Sequence, residues 1–112
     1  MKPEHRLREN YEFRRVFGRG KSTATSRIVL YWMDNRRPSF RVGFSVSKKV
    51  GNAVQRNRIK RVLRECFHQL SPSLQEKSFD FVVVARQAST DSSYQELYDD
   101  VVKLLHRGKF MV

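Results

Sequence analysis

This 112-residue sequence predicts an α+β fold with the element order α-β-β-α-β-α, and three observations carry the prediction. Apolar residues recur at helical spacing in three separate stretches. Two strand-like runs stand together before the second of those stretches, and a third run follows it. The middle helix therefore joins two strands as a crossover. A chain of this length makes one domain, residues 1–112, with a single core of modest size.

Residues Met1 to Glu9 read as a short basic arm, mobile at its tip. Asn10 is placed to cap a first helix that runs to about Phe17 and is ended by Gly18 and Gly20. On it, Phe13 and Phe17 are four apart and share a face with Val16. That spacing by itself predicts core packing. Lys21 to Ser26 is small and polar, a loop or a short edge strand. Arg27 to Met33, RIVLYWM, is a strand with bulky residues on both faces: Ile28, Leu30 and Trp32 on one, Val29, Tyr31 and Met33 on the other. After a turn at Asn35 to Ser39, Phe40 to Ser47 alternates, with Arg41, Gly43, Ser45 and Ser47 opposite its apolar face. It reads as a half-buried strand antiparallel to its predecessor.

Asn52 caps the second helix, which carries the apolar stripe Ile59, Leu63, Cys66, Phe67 and Leu70. Ser71-Pro72-Ser73 is expected to stop it near Leu70. Phe79 to Ala85, FDFVVVA, is the most continuously apolar run and should be a central strand. Ser93 and Glu96 form a capping box for a last helix whose stripe is Tyr94, Leu97, Tyr98, Val101, Leu104 and Leu105, with Gly108 at its C′ position.

Charge narrows the function. The formal net charge is +12, and residues 35–64 hold ten bases and no acid. Lys48, Lys49, Arg56, Arg58, Lys60, Arg61 and Arg64 fall in the segment Ser45 to Arg64. A helix start already carries partial positive charge, so bases there repel it and one another. Solvated helix faces normally alternate sign. A block of one sign points to a polyanion lying across the helix start, which would turn that repulsion into attraction.

Membranes are a poor match for that polyanion: the apolar runs Ile28 to Met33 and Phe81 to Ala85 are far too short to span a bilayer. The start, MKPEHRLREN, has no apolar signal region, and the lone Cys66 sits on an apolar stripe. Both fit a reducing cytoplasm. A DNA-reading helix-turn-helix would need a helix shortly before the basic one, where a strand stands instead. Aromatic side chains on a sheet beside a basic helix suit RNA, whose unpaired bases stack on rings.

No catalytic constellation emerges. The acids form no D-x-D or E-x-x-H pattern, Cys66 and His68 are badly spaced for one metal, and there is no phosphate-binding glycine loop. His5, His68 and His106 are scattered and read as surface residues. On the residues alone, the chain is an RNA-binding αβ domain.

From Arg41 to Phe67 the chain reads RVGFSVSKKVGNAVQRNRIKRVLRECF. This run resembles the signature segment of the bacterial ribonuclease P protein component. The pattern Arg6-Leu7, Phe13, Val16-Phe17, the strand around Tyr31 and the FVVVAR strand fit as well, so the likeness spans essentially the whole chain. The resemblance implies a compact αβ sandwich with a small, mostly antiparallel sheet and a left-handed β-α-β crossover, where the general rule expects a right-handed one. It implies a subunit of an endoribonuclease whose catalyst is RNA, removing the 5′ leader of precursor tRNA with Mg2+ held mainly by that RNA and the substrate. It also implies that Arg56, Asn57, Arg58, Lys60, Arg61 and Arg64 dock on ribonuclease P RNA. Phe13, Phe17, Tyr31 and Lys49 would then line a cleft for the single-stranded leader of precursor tRNA. Two rival readings are a ribosomal or RNA-assembly binding protein of similar fold, and a nuclease acting without RNA.

Overall fold

The computed structural model describes residues 2–111. Three helices, α1 (Asn10–Arg19), α2 (Ala53–Leu74) and α3 (Tyr94–Arg107), pack on a four-stranded sheet of β1 (Lys21–Ala24), β2 (Ile28–Asp34), β3 (Arg41–Ser45) and β4 (Phe79–Ala85). Single 3-10 turns lie at Pro3–His5, Lys48–Val50 and Gln87–Ser89. The strand order is β1-β2-β4-β3. β1 with β2 and β2 with β4 are antiparallel, while β3 and β4 run parallel and are joined by α2.

The pairing of β2 with β3 across a tight turn does not occur: β4 lies between them. The reason is visible in both segments. Asn35 to Ser39 has no Asn-Gly or Asp-Gly pair to make a two-residue hairpin turn. β4 is apolar on both faces and gains most from a position with neighbours on each side. The register Arg41↔Asp80 then sets an arginine beside an acid.

The sheet is covered on both faces. On one, Ile28, Leu30, Val42, Phe81 and Val83 meet Ile59, Leu63, Phe67 and Leu74 of α2 and Leu97, Val101, Leu104 and Leu105 of α3. Each fully buried Leu, Ile or Phe there contributes about 1.5–3 kcal/mol. On the other face, α1 sets Val16 against Val82 and Leu7, with Phe13, Tyr31, Met33 and Val84 around them.

Local signals explain most boundaries and several departures. The capping residue of α1 is Glu9 rather than Asn10, and its N–H donates to Glu12 Oε1 at 3.2 Å. Gly18 lies within α1; the helix stops at Gly20, where a Cβ would stand 2.5 Å from the Val16 carbonyl oxygen and 2.6 Å from that of Trp32. Pro72 does not end α2, which continues to Leu74. Proline removes the N–H that would reach the His68 carbonyl. The Ser71 hydroxyl donates to that carbonyl instead, at 2.8 Å, and Leu74 is fully buried. At the end of α3, the residue in the left-handed region is Lys109 (φ 65°), not Gly108. Phe110 N–H bonds to Leu105 O and Lys109 N–H to His106 O, the double closure of a Schellman turn.

The expected arm is tied down. Leu7 N–H donates to Val42 O at 3.0 Å, and Leu7 is buried. His5, expected on the surface, is also buried: its ring stacks on Phe40 at 4.2 Å, and its Nδ1 lies 2.8 Å from the Phe40 carbonyl oxygen. Met1, the arm's first residue, lies outside the described residues.

Candidate nucleic-acid interface

The face of the sheet under α1 is organised by one buried ion cluster. Arg41 donates from Nε to Asp80 Oδ1 (2.9 Å) and from Nη2 to Asp80 Oδ2 (2.7 Å), a two-pronged pair, and from Nη1 to Glu12 Oε2. Asn35 Nδ2 adds a bond to Asp80 Oδ1 at 3.0 Å. Arg41, Asp80 and Glu12 are all buried. Burial alone would raise the Glu12 carboxyl, but the Glu9 N–H and the Arg41 guanidinium outweigh it and hold it below its ordinary value. Hydrogen bonding to Asp80 keeps Arg41 firmly protonated. The cluster joins the first turn of α1 to β3 and β4, and so decides where the aromatic side chains of α1 lie.

Those aromatics line up over the sheet. Phe13 sits directly on Gly43, where a Cβ would come within 2.3 Å of its ring. One turn on, Phe17 meets Tyr31 edge to face at 4.9 Å, and Phe17 is 41% exposed. Beside Phe13 opens a cavity of about 160 Å³ between the N-terminal segment, β3 and α2. It is lined by Phe13 and Gly43 on the α1 side of β3, by Phe44 on the other side of the strand, and by the basic residues Arg6, Arg8, Lys60 and Arg64.

The sequence-predicted residues divide accordingly. Phe13, Phe17 and Tyr31 are brought together. Of these three and Lys49, only Phe13 lines the cavity: Phe17 lies one turn further along α1 against Tyr31 of β2, and Lys49 is exposed on the 3-10 turn beyond β3. Of the basic set, Asn57 and Arg61 point freely to solvent, and Lys60 and Arg64 reach the cavity. Arg56 Nη1 donates to Gly51 O (2.7 Å) and Arg58 Nη2 to Ser92 O (2.8 Å), so both also brace loops. Arg8 and Arg41 were missed. Asp80 was the available signal: one acid inside the apolar run FDFVVVA of a central strand requires a buried partner.

Burial pushes the Cys66 thiol up to about 12, so it is a neutral core group. Among the described residues, no three His, Cys, Asp or Glu side chains converge to hold a metal ion, and no helix is long and apolar enough to cross a membrane.

Clustered basic side chains beside partly exposed aromatic rings, on a sheet with helices on both faces, fit the class of RNA-binding α+β proteins. The relatives make this specific. The family model described as Ribonuclease P matches residues 1–109. The ribonuclease P protein component of Bacillus cereus strain AH187 is 44% identical over 109 residues, covering 96% of this chain and 94% of that protein. That of Bacillus anthracis strain CDC 684 is 43% identical, covering 96% and 91%. The RNase P protein of Staphylococcus aureus superposes with a TM-score of 0.88 at 35% identity, covering 96% of this chain and 98% of that one. The Thermotoga maritima RNase P protein gives 0.82 at 29% identity, covering 91% and 96%. The chain belongs to the ribonuclease P protein family, and its role is that of the protein subunit of ribonuclease P in tRNA processing.

Proposed function

We propose that this subunit holds the single-stranded 5′ leader of precursor tRNA against Phe13, Phe17 and Tyr31, and docks on ribonuclease P RNA through α2. The observation that carries the reading is the shared cavity: Phe13 on Gly43, walled by Arg6, Arg8, Lys60 and Arg64. An aromatic platform takes a base by its face, and the flanking cations take the phosphates on either side. Arg56, Asn57, Arg58 and Arg61 serve the catalytic RNA, and Lys60 and Arg64 stand at the boundary where both strands can be neutralised together. Lys49 contributes charge from its exposed turn rather than a wall of the cleft.

Hydrolysis of the phosphodiester belongs, in this reading, to the RNA. The magnesium ions it needs are held mainly by the RNA and the substrate. What the chain supplies is charge and position. Its cations reduce repulsion between the two RNAs and so lower the metal-ion concentration required. A cytoplasmic location goes with this substrate.

The test is cleavage of precursor tRNA at low magnesium by a bacterial ribonuclease P RNA, with and without the chain. Stimulation that needs both components supports the reading. Cleavage by the chain alone would overturn the assignment of chemistry to RNA, and tight binding to other structured RNA without stimulation would favour a ribosomal role.

A further inference from the structure

At the far end of the sheet from the start of α2 lies a second and larger concavity, of about 1070 Å³. α2 has 22 residues, so the two ends are about 30 Å apart. The concavity is ringed by Arg15, Arg19, Lys21, Arg36, Lys77 and Lys109, with Asp34 as the one acid in its lining. Asp34 is engaged in its own turn, where it accepts from the Arg36 N–H at 2.9 Å. Arg15 stands 3.9 Å from Asp80; among the described residues Arg19, Lys21, Arg36 and Lys77 form no salt bridge. Six cations round one hollow repel each other unless something anionic fills it.

Two further features tell against a merely solvated rim. The floor is aromatic and fixed: Trp32 meets Phe110 edge to face at 5.5 Å, and Phe79 meets Phe110 at 4.9 Å. In addition, the two non-glycine residues with positive φ among the described residues are Arg36 (54°) and Lys109 (65°), and both line this hollow. Glycine is the easier residue at such positions. A cation stands at each instead.

We infer that this concavity is a second single-stranded RNA site, and that it takes the outer nucleotides of the leader, those beyond the ones in the cleft. Continuity favours that strand. Met33 lines the hollow and shares a face of β2 with Tyr31, two residues and about 7 Å away. An extended strand leaving the Phe17–Tyr31 pair along the exposed C-terminal half of α1 therefore meets Arg15, Arg19 and the hollow next. The inference rests on the leader-binding reading above.

The test uses reconstituted holoenzyme with the double substitution Arg36→Gly, Lys109→Gly. Glycine accepts positive φ freely, so the variant should melt no lower than the unaltered chain. Affinity is measured across salt for mature tRNA and for precursors with leaders of about five and about fifteen nucleotides, bracketing known single-strand site sizes. The long leader alone should lose affinity, several-fold, and its salt slope should fall by about 0.7 for each phosphate contact removed. An equal loss on all three RNAs would place the hollow against another RNA surface and overturn the proposal, as would no loss at all. Unaltered holoenzyme that prefers the short precursor over mature tRNA but gains nothing from the longer leader overturns this site alone. If it prefers neither precursor, the leader reading itself fails, and this inference with it.

Discussion

Gly43→Ala is the sharpest probe of the cleft, because it adds one methyl group at the point where Phe13 rests. The new Cβ would stand 2.3 Å from Phe13 Cζ and 2.8 and 3.0 Å from its Cε atoms. Ordinary contact needs about 3.5–4.0 Å, so the ring must move by more than 1 Å. β3 is an edge strand with ordinary backbone at this position, and alanine there recovers about 0.5–1 kcal/mol of chain entropy. Overpacking of this size costs about 1–3 kcal/mol. The net expectation is a loss of about 1 kcal/mol, within a range of about 0–2.5 kcal/mol, with a fall in Tm of roughly 4 °C per kcal/mol for a chain of this length. Function should suffer more than stability. Moving the ring off its seat forfeits the stacking of about one base, worth about 1–3 kcal/mol, or at least a fivefold loss of preference for precursor over mature tRNA. Urea unfolding measures the first effect and competitive binding to reconstituted holoenzyme the second. If Gly43→Ala left the preference for precursor intact while lowering stability as calculated, Phe13 would be a core residue and not a leader platform.

The remaining expectations concern charge. Arg41→Met leaves two buried carboxylates facing each other and should cost about 3–5 kcal/mol in urea unfolding, with Phe13 and Phe17 loosened together; a loss below about 1 kcal/mol would mean the cluster does not hold α1. Because the folded-state pKa of Glu12 lies below its unfolded value, its contribution is present above the unfolded pKa and lost as pH falls through the folded one. Stability should therefore decline on acidification below about pH 4.5, and Glu12→Gln should flatten that part of the curve. Arg61→Ala should lower the salt slope of RNA binding by about 0.7–0.9 with no change in Tm. Arg58→Ala should do the same and also destabilise by about 1.5–3 kcal/mol, since its guanidinium bonds the Ser92 carbonyl oxygen; equal Tm values for the two variants would refute the bracing role.

Helix and strand identities were legible because they are local. The stripe from Ile59 to Leu70 and the Ser93–Glu96 box act within a few residues of chain, and both are seen as expected. The basic face of α2 was legible for the same reason: net charge over a short segment needs no tertiary information. Proline rules misjudged the end of α2, where a serine hydroxyl serves the carbonyl that loses its donor and Leu74 is buried beyond the proline. Membership of the ribonuclease P protein family was likewise carried by a contiguous run of residues, Arg41 to Phe67.

Long-range pairings were another matter. Alternation assigned Arg41 to a polar face, but alternation reports only that a strand has two faces, not what covers each. Tertiary structure set β4 between β2 and β3, brought Glu12, Arg41 and Asp80 from three elements into one buried cluster, and laid Phe13 on Gly43. It also joined Phe13 to Lys60 and Arg64 around one cavity, and gathered six cations from Arg15 to Lys109 round another. Sequence by itself determined which segments are helical or extended and where the charge is dense, since those depend on neighbours along the chain. Which strands touch, and which cations share a hollow, depends on free-energy differences summed over contacts 29 to 39 residues apart in the ion cluster alone, and only the folded chain carries out that sum.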